Sequence, residues 1–355
     1  MDTSGLDTPC LLLDLDAMEH NIATMAAHFA PLLSRLRPHF KTPKTPEVAR
    51  RQLEAGAIGI TVAKLGEAEV LADAGLGPIL MANQVVGRPK IDRLMALLAR
   101  GVDITVAVES DANIAGLADG MRRSGQRAQA IVEVDSGMHR CGTTEAGETV
   151  RLARALVDAG ISYRGLVGYE GHAVLLADGQ ERGEKATAAL SIVSRHAEAL
   201  AEAGLPPEVV SVGGTGTFET AAAWPGVTEV QAGSYVFMDG RYQSVLPGRF
   251  ASALTLLTTI VAVHEGYAVC DAGLKSLTGE FGMPASKDGS IRVRGLSEEH
   301  AHLVGPGIEG LRVGDTVEIL PSHGDTTLNL HDRYHLVRGG ELAGEWPILA
   351  ARKFQ

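Results

Sequence analysis

The segment QAIVEVDSGMHRCGTTEAGETVRLARALVDAGISYRGLVGYE, residues 129–170, decides the fold. It opens and closes with short apolar runs, and between them lies an amphipathic stretch, Thr144–Ala159. In that stretch Val150, Ala153 and Val157 fall on one side at helical spacing. A strand, a helix and a second strand in this order predict a βαβ unit with parallel strands.

The same alternation continues on both sides of this segment. Residues 16–33 carry apolar side chains at spacings of three and four, which predicts a helix. Eight short apolar runs are candidate strands: Arg35–Phe40, Ala57–Ala63, Pro78–Ala82, Asp103–Val108, Gln129–Val134, Gly165–Tyr169, Val209–Val212 and Thr228–Gln231. Eight such repeats over about 200 residues predict a closed (β/α)8 TIM-like barrel, with an open doubly wound sheet as the alternative.

Downstream of Arg241 the helical spacing stops. Threonine and valine runs alternate there with Gly-Asp and Gly-Gly turns, as in VGDTVEIL and LVRGGELAGEW, which is typical of antiparallel β-structure. We therefore expect two domains, a barrel over residues 1–240 and a C-terminal antiparallel β-domain over residues 241–355. The N-terminal strand could join the second of these.

Composition narrows the class of protein. The 355 residues include 43 acidic and 32 basic side chains, and the net charge of −11 without a basic tract argues against nucleic acid as a partner. Neither an apolar stretch long enough to span a membrane nor a secretion signal is evident, so we expect a cytoplasmic protein. The three cysteines are too few for a disulfide framework and predict buried free thiols.

Polar side chains concentrate where the predicted strands end, which is where barrel enzymes carry their catalytic groups. In the first strand, Arg37, His39 and Lys41 alternate onto one face, and one face of every barrel strand points inward. An ammonium group in such a site tends to lose its proton, and a neutral lysine can bond covalently to an aldehyde. The alternative is that Lys41 and Lys44 belong to a polar surface loop.

Two glycine-rich loops follow the last two strands. SVGGTGT contains Gly213, Gly214 and Thr215, and QAGSY contains Gln231, Gly233 and Ser234. Loops at these two positions commonly hold a phosphate in barrel enzymes, although each loop alone could be an ordinary turn. A phosphate site opposite an inward lysine indicates covalently bound pyridoxal 5′-phosphate.

Several motifs together resemble one known group of enzymes. PHFKTPKT, VDSGMHRCG, YEGH, VGGTGT and EVQAGSYVFMD are similar to motifs of the fold-type III pyridoxal-phosphate enzymes, which have an alanine-racemase-like barrel. Within that group the chain most resembles the branch of D-threonine aldolases, 3-hydroxy-D-aspartate aldolases and metal-dependent D-serine dehydratases. PSHGDTT in the C-terminal part is the most specific element of the resemblance.

The resemblance implies roles for individual residues. Lys41 matches the lysine that bonds the cofactor, Arg140 matches an arginine near the cofactor's phenolic oxygen, and Tyr169 matches a ring packed beside it. Gln231 stands where alanine racemases place an arginine against the pyridine nitrogen, and Glu133 stands where they commonly carry a lysine. The neutral Gln231 predicts more modest stabilisation of a carbanion, and the Glu133 departure argues against simple racemase activity. The remaining expected cofactor contacts are His39, Gln84, Gly213, Gly214, Thr215, Gly233 and Ser234.

His323 and Asp325 form the expected metal site. They lie two apart in a predicted strand or strand exit, so both side chains can face one way, although spacing alone favours a surface loop. In the resembling branch this pair binds a divalent metal. The dehydratases typically carry cysteine at the second position, whereas aspartate suits manganese, with magnesium or zinc as alternatives. Asp325 therefore favours an aldolase. Asp271 matches a family position to which we assign no role.

The resemblance implies an enzyme that cleaves D-β-hydroxy-α-amino acids, of the D-threonine type, to glycine and an aldehyde. His172, which follows the sixth strand, is the candidate base because imidazole titrates in the useful range. A 3-hydroxy-D-aspartate aldolase, a dehydratase that yields an oxo acid and ammonia, and a non-catalytic cofactor carrier are the alternatives. The branch also implies a homodimer.

Overall fold

The computed structural model describes residues 5–355, and this part of the chain forms two units. One unit contains the described residues up to Met25 together with Thr42–Glu47 and Ser234–Arg352. The other contains Ala26–Lys41, Val48–Gly233 and Lys353–Gln355. The main division along the chain thus falls between Gly233 and Ser234.

The bounds of the elements follow the chain. The strands are β1 Cys10–Asp14, β2 Arg35–Leu36, β3 Ile60–Val62, β4 Ile79–Gln84, β5 Ile104–Val108, β6 Gln129–Val134, β7 Ser162–Gly168, β8 Val209–Val212, β9 Glu229–Val230, β10 Leu254–His264, β11 Tyr267–Cys270, β12 Arg292–Leu296, β13 Ala301–Val304, β14 Thr316–Ile319, β15 Arg333–Arg338 and β16 Glu341–Pro347. The α-helices are α1 Leu15–Phe29, α2 Pro46–Glu54, α3 Leu65–Asp73, α4 Arg88–Ala99, α5 Asp111–Ser124, α6 Ala146–Asp158, α7 Gly179–Glu202, α8 Phe218–Ala222, α9 Gly240–Val245 and α10 Gly324–Leu328. Two short 3-10 helices span Ser234–Val236 and Pro306–Ile308.

Strands β2 to β9 form the parallel sheet of the second unit, in the order β2-β9-β8-β7-β6-β5-β4-β3. A parallel bridge between His39 and Thr61 joins the two ends of this sheet. There the Phe40 amide donates to the Thr61 carbonyl oxygen at 2.7 Å, and the Thr61 amide donates to the Pro38 carbonyl oxygen at 2.9 Å. The predicted (β/α)8 barrel is therefore confirmed, and its ring closes immediately before Lys41.

Three details of the sequence-based prediction are wrong. Strand β2 ends at Leu36 instead of Phe40, since Pro38 has no N–H to donate to a ladder. Helix α1 ends at Phe29, because a residue that precedes a proline, here Pro31, is disfavoured in helical conformation. In α6, Val157 was expected to lie on the same buried side as Val150 and Ala153, but its side chain is 51% exposed. The buried face of α6 consists of Thr149, Leu152, Ala153 and Leu156.

The other unit is built on a sheet in the order β12-β13-β11-β10-β1-β15-β16, with β14 paired to β10. Most neighbouring strands are antiparallel, as the turn-rich sequence predicts, but β1 pairs parallel with β15. The apolar run Leu11–Leu13 is at most 2% exposed in the middle of this sheet. Within the described part of the chain, none of the helices has both the length and the apolar character needed to cross a membrane.

Candidate active site

The ring of Tyr169 is the centre of the candidate site in the barrel unit. The Lys41 Nζ lies 5.8 Å from its centroid, and the Arg140 guanidinium carbon also lies 5.8 Å from it. These residues follow β2, β6 and β7, so the carboxyl ends of three strands converge on one ring. Both cations are within the range of a cation–π interaction. The structure thus brings together three residues that the sequence predicts for a cofactor site.

His39 fixes the backbone beside Lys41. Its Nδ1 accepts a hydrogen bond from the Lys41 amide at 3.3 Å, and its own amide donates to the Ala232 carbonyl oxygen at 3.4 Å. Lys41 itself lies in a turn after β2, so the predicted strand alternation does not extend to it. Closure of the barrel at the His39–Thr61 bridge positions the lysine instead.

Gln84 reaches a buried carboxylate, Glu133, at the end of β6. The Gln84 Nε2 donates to a Glu133 carboxylate oxygen, and Glu133 is 9% exposed. Burial raises the pKa of Glu133, while the Gln84 hydrogen bond and the charge of Arg140 partly oppose that rise. The sequence singled out Gln84 and Glu133 separately, and the structure shows that they form a pair.

The loop Gly213–Thr217 packs against the Tyr169 ring. A Cβ added at Gly214 would lie 3.2 Å from the ring carbon Cε2, and a Cβ added at Gly216 would overlap the Val174 carbonyl oxygen. A side chain is therefore excluded at Gly216, and at Gly214 it fits only if its neighbours shift by a few tenths of an ångström. A loop that exposes backbone groups without side chains suits a phosphate.

Two of the loop's amides already have partners in the protein. The Gly213 amide donates to Glu170 Oε2 at 3.2 Å, and the Gly214 amide donates to Thr217 Oγ1 at 3.2 Å. Both amides therefore take part in the hydrogen bonds that shape the loop. That Gly213 and Gly214 contact a phosphate stays a prediction.

Gln231 and Gly233 are buried at the end of β9. The Gln231 Nε2 donates to the Ser211 hydroxyl at 2.8 Å, which fixes the amide plane and leaves its oxygen as an acceptor. Ser234 belongs to the other unit, where it is 7% exposed and begins a 3-10 helix.

His172 lies three residues after Tyr169 in the loop between β7 and α7. A Cβ added at Gly137 would be 3.3 Å from the imidazole Cε1, so the ring lies against the loop after β6. Burial of part of the ring and the charge of Lys185 lower the pKa of His172 below its ordinary 6.5, while Asp135 works in the opposite direction. A neutral imidazole at neutral pH is what a general base requires.

The pair His323 and Asp325 lies in the sheet unit, at the start of α10. His323 is the N-cap of this helix, and Asp325 is its second residue, so the predicted strand geometry is wrong. The Asp325 carboxylate nevertheless acts on His323 electrostatically. Burial alone lowers the pKa of His323, but the hydrogen bond that His323 donates to Asp239 and the charges of Asp325, Asp239 and Glu280 raise that pKa above the ordinary value.

Asp239 orients His323 and was not identified from the sequence. Its Oδ2 lies 2.9 Å from His323 Nδ1 and accepts a hydrogen bond from the Gly324 amide at 2.7 Å. A histidine held by a carboxylate through Nδ1 can present Nε2 to a metal, an arrangement common at metal sites. The only signal in the sequence is that Asp239 ends the YVFMD motif, 84 residues before His323.

The Asp325 Oδ1 supports a metal at this pair. This oxygen is buried and has no hydrogen-bond partner, and a bare buried carboxylate oxygen is costly unless something binds it. Across residues 5–355, no three His, Cys, Asp or Glu side chains gather as a larger metal cluster. His323 and Asp325 can thus supply two ligands, and the remaining positions fall to water or substrate, as at a catalytic metal.

Asp271 has a structural explanation. Its carboxylate accepts hydrogen bonds from the hydroxyls of Thr8 and Thr258, both at 2.6 Å, and from the Thr259 amide at 2.9 Å. These bonds connect the segment before β1 to β10 and β11. Asp271 therefore joins elements of the sheet unit.

The barrel residues also fit pyridoxal 5′-phosphate. Lys41 lies beside an aromatic ring, Arg140 lies beside the same ring, and a glycine loop that excludes side chains packs against it. A covalent lysine, a stacking ring and a phosphate cradle are the parts that this cofactor needs.

Comparison with known proteins gives two family matches. Residues 13–240 match the family model described as "Alanine racemase, N-terminal domain", and residues 253–337 match the one described as "Putative serine dehydratase domain". Together these matches cover the barrel and most of the sheet-forming C-terminal part.

Individual relatives are similar over nearly the whole chain. A D-threonine aldolase from Arthrobacter sp. is 37% identical over 97% of this chain and 93% of the relative. A 3-hydroxy-D-aspartate aldolase from Paracoccus denitrificans is 35% identical over 99% and 94%, and a D-threo-3-hydroxyaspartate dehydratase from Delftia sp. is 36% identical over 79% and 75%. The crystal structure of D-threonine aldolase from Filomicrobium marinum superposes with a TM-score of 0.94 at 36% identity, covering 98% of this chain and 96% of that one.

Proposed function

The chain belongs to the fold-type III pyridoxal-phosphate enzymes with an alanine-racemase-like barrel, and from that premise we propose that it is a lyase that cleaves D-β-hydroxy-α-amino acids of the D-threonine type. The reaction breaks the Cα–Cβ bond of D-threonine and gives glycine and acetaldehyde. The observation that carries the proposal is Lys41 beside Tyr169 in the barrel unit. The His323–Asp325 pair, taken by itself in the sheet unit, supports it separately.

The identity of the metal ligands supports an aldolase over a dehydratase. Asp325 supplies a hard oxygen ligand, which suits manganese better than a cysteine would. The charges at the pair support a metal of either kind of enzyme, since the carboxylate of Asp325 and the outer carboxylate of Asp239 together favour a divalent cation beside His323. We propose manganese, with magnesium or zinc as alternatives.

The residues of the two candidate sites then have the following proposed roles. The cofactor, when bound at Lys41, supplies an electron sink for the bond that breaks. Arg140 and Tyr169 would line the space for the cofactor's ring. Gln231 would offer the ring nitrogen a neutral partner. His323 and Asp325 would hold a divalent metal, which would supply Lewis acidity that lowers the pKa of a hydroxyl bound there. His172 accepts the hydroxyl proton, because its lowered pKa keeps the imidazole neutral.

Product identification tests the proposal. The purified protein, loaded with pyridoxal 5′-phosphate, is incubated with D-threonine, D-serine and 3-hydroxy-D-aspartate, each with manganese and with EDTA. We expect glycine and acetaldehyde from D-threonine, loss of turnover with EDTA, and no cleavage of L-threonine. His323→Ala should behave as the EDTA-treated protein does.

Other outcomes identify the alternatives. Glycine and glyoxylate from 3-hydroxy-D-aspartate, with D-threonine inert, would assign a 3-hydroxy-D-aspartate aldolase. Ammonia and an oxo acid would assign a dehydratase, in which the Cα proton is lost and the β-hydroxyl leaves. Turnover that EDTA does not change would contradict the metal. The expected homodimer is checked by light scattering on the same preparation.

A further inference from the structure

Glu170 is a buried carboxylate next to Tyr169 that the proposed chemistry does not use. It is 1% exposed, and both of its oxygens accept hydrogen bonds from neutral groups: Oε2 from the Gly213 amide at 3.2 Å, and Oε1 from the Thr217 hydroxyl at 2.6 Å. Burial raises its pKa, which these hydrogen bonds partly offset. A buried carboxylate is costly to keep, so its partners matter.

The two bonds hold the two ends of the glycine loop. Gly213 is the first residue of the loop Gly213–Thr217, and Thr217 is the last. The Thr217 hydroxyl also accepts a hydrogen bond from the Gly214 amide, and the Thr217 amide donates to the Gly214 carbonyl oxygen at 3.1 Å. One carboxylate therefore holds a turn that closes on itself.

A loop of this composition needs an external anchor. Three of its five residues are glycine, and glycine loses more conformational freedom on ordering than any other residue. Packing supplies part of the anchor, since Gly214 lies against the Tyr169 ring and Gly216 against the Val174 backbone. The polar part of the anchor comes from Glu170, which lies between Tyr169 and His172 in the sequence.

We propose that Glu170 is a positioning residue that holds the Gly213–Thr217 loop in the shape that binds the cofactor phosphate and ties it to the segment carrying Tyr169 and His172. The proposal rests on the proposed cofactor site. It predicts that the loss of Glu170 weakens the hold on the phosphate group specifically, while the ring of the cofactor, which contacts Lys41 and Tyr169, binds as before.

The test compares two ligands that differ by the phosphate. Glu170→Gln keeps the size of the side chain but removes its charge and leaves a single acceptor oxygen for the two donors, the Gly213 amide and the Thr217 hydroxyl. A hydrogen bond to a charged acceptor typically accounts for about tenfold or more in binding. We expect the dissociation constant of pyridoxal 5′-phosphate, measured from the absorbance of the Lys41-bound cofactor, to rise about tenfold or more. That of pyridoxal should stay within about twofold of the wild-type value.

Variants of Thr217 test the same linkage independently. Thr217→Val keeps the shape and removes the hydroxyl, so it should reproduce the selective loss, whereas Thr217→Ser should restore wild-type binding. Glu170→Gln combined with Thr217→Val should be no weaker than either single variant, because both break one linkage. Thr220→Val, in α8 just beyond the loop, is the matched control and should change neither constant.

Equal losses for pyridoxal 5′-phosphate and pyridoxal would overturn the proposal, as would a lowered melting temperature of the apo-protein with unchanged cofactor affinity. If Glu170→Gln does not fold, Thr217→Val and Thr217→Ser provide the test by themselves. In that case an unchanged preference of Thr217→Val for pyridoxal 5′-phosphate over pyridoxal would overturn the proposal. Both ligands are measured without substrate, so a failure of the proposed cleavage reaction leaves these constants measurable and the two proposals separable.

Discussion

His172 combines a position beside the Tyr169 segment with a pKa below 6.5. A base works in its neutral form, so kcat/KM should stay level as pH falls from 8 to about 6.5 and decline only at lower pH. His172→Ala should keep the absorbance of the bound cofactor and lose about 100-fold or more in kcat. A variant with full activity, or a wild-type decline that begins well above pH 7, would contradict the assignment of the base.

Asp239 should control how tightly the metal is held. Asp239→Asn keeps the shape of the side chain but weakens the acceptor for His323 Nδ1. Changes of this kind typically cost about 10- to 100-fold in metal affinity, and we expect a loss of that size in manganese titrations against a competing chelator. Asp288→Asn, at an exposed position of the same unit, should leave the affinity unchanged. Equal affinities in both variants would contradict the role of Asp239.

Sequence motifs identified residues that converge in the structure, but not the residues that hold them in place. Lys41, Arg140 and Tyr169 follow strands whose ends meet, so the barrel rule predicts that they converge. Asp239 and Glu170 act across 84 and 43 residues of chain. Partnerships of that length depend on tertiary packing, and a single sequence carries no signal for them.

Two glycines in the barrel unit should respond oppositely to alanine. Gly183 lies inside α7, and a Cβ there would meet no atom within 4 Å, whereas a Cβ at Gly216 would overlap the Val174 carbonyl oxygen. Gly183→Ala should raise the free energy of unfolding by about 0.5–1 kcal/mol, because alanine is the better helix former. Gly216→Ala should lower it. Urea unfolding measures both, and a destabilised Gly183→Ala would contradict the open environment of that position.

Elements were easier to predict from the sequence than their ends. A strand lies in each of the eight predicted regions, since apolar runs bounded by glycine are a strong local signal. The errors lie where a local rule was outweighed. Pro38 shortens β2, Pro31 follows the early end of α1, and the helical capping of His323 replaces the strand expected from PSHGDTT. Strand alternation was used to place Arg37, His39 and Lys41 on one face, but Lys41 lies in a turn.

The pH dependence of stability is a property of the whole molecule to which the buried His196 and the partly buried His331 contribute. Burial lowers the pKa of His196 and of His331 below the ordinary 6.5, and His196 also shares a 2.7 Å hydrogen bond with Thr149. The unfolded chain binds these protons more readily, so their stabilising contribution is present above pH 6.5 and is lost as pH falls below it.

His196→Gln should therefore show a smaller drop in unfolding midpoint between pH 7.5 and pH 5.5 than the wild-type protein. Melting curves at the two pH values measure this difference. His264→Gln, at an exposed position, serves as the control and should keep the wild-type difference. An unchanged pH dependence in His196→Gln would show that His196 does not contribute.

At the scale of the molecule, the sequence predicted a barrel followed by a β-rich part because the spacing of apolar residues changes near Arg241. It could not predict that β1 runs parallel to β15, since strand direction depends on the path of the chain between them. The same limit applies to the residues of Thr42–Glu47, which group with the sheet unit although they lie within the barrel sequence.

The position of β1 has a consequence for how the chain is made. During synthesis β1 emerges early, but the strands that cover it, β10 and β15, lie in the last third of the chain. Until they appear, its leucine run is an unpaired apolar edge of the kind that aggregates. The barrel elements can assemble in the meantime, because their contacts are mainly between neighbours in sequence. The appearance of β15, rather than completion of the barrel, thus ends the exposure of this apolar run.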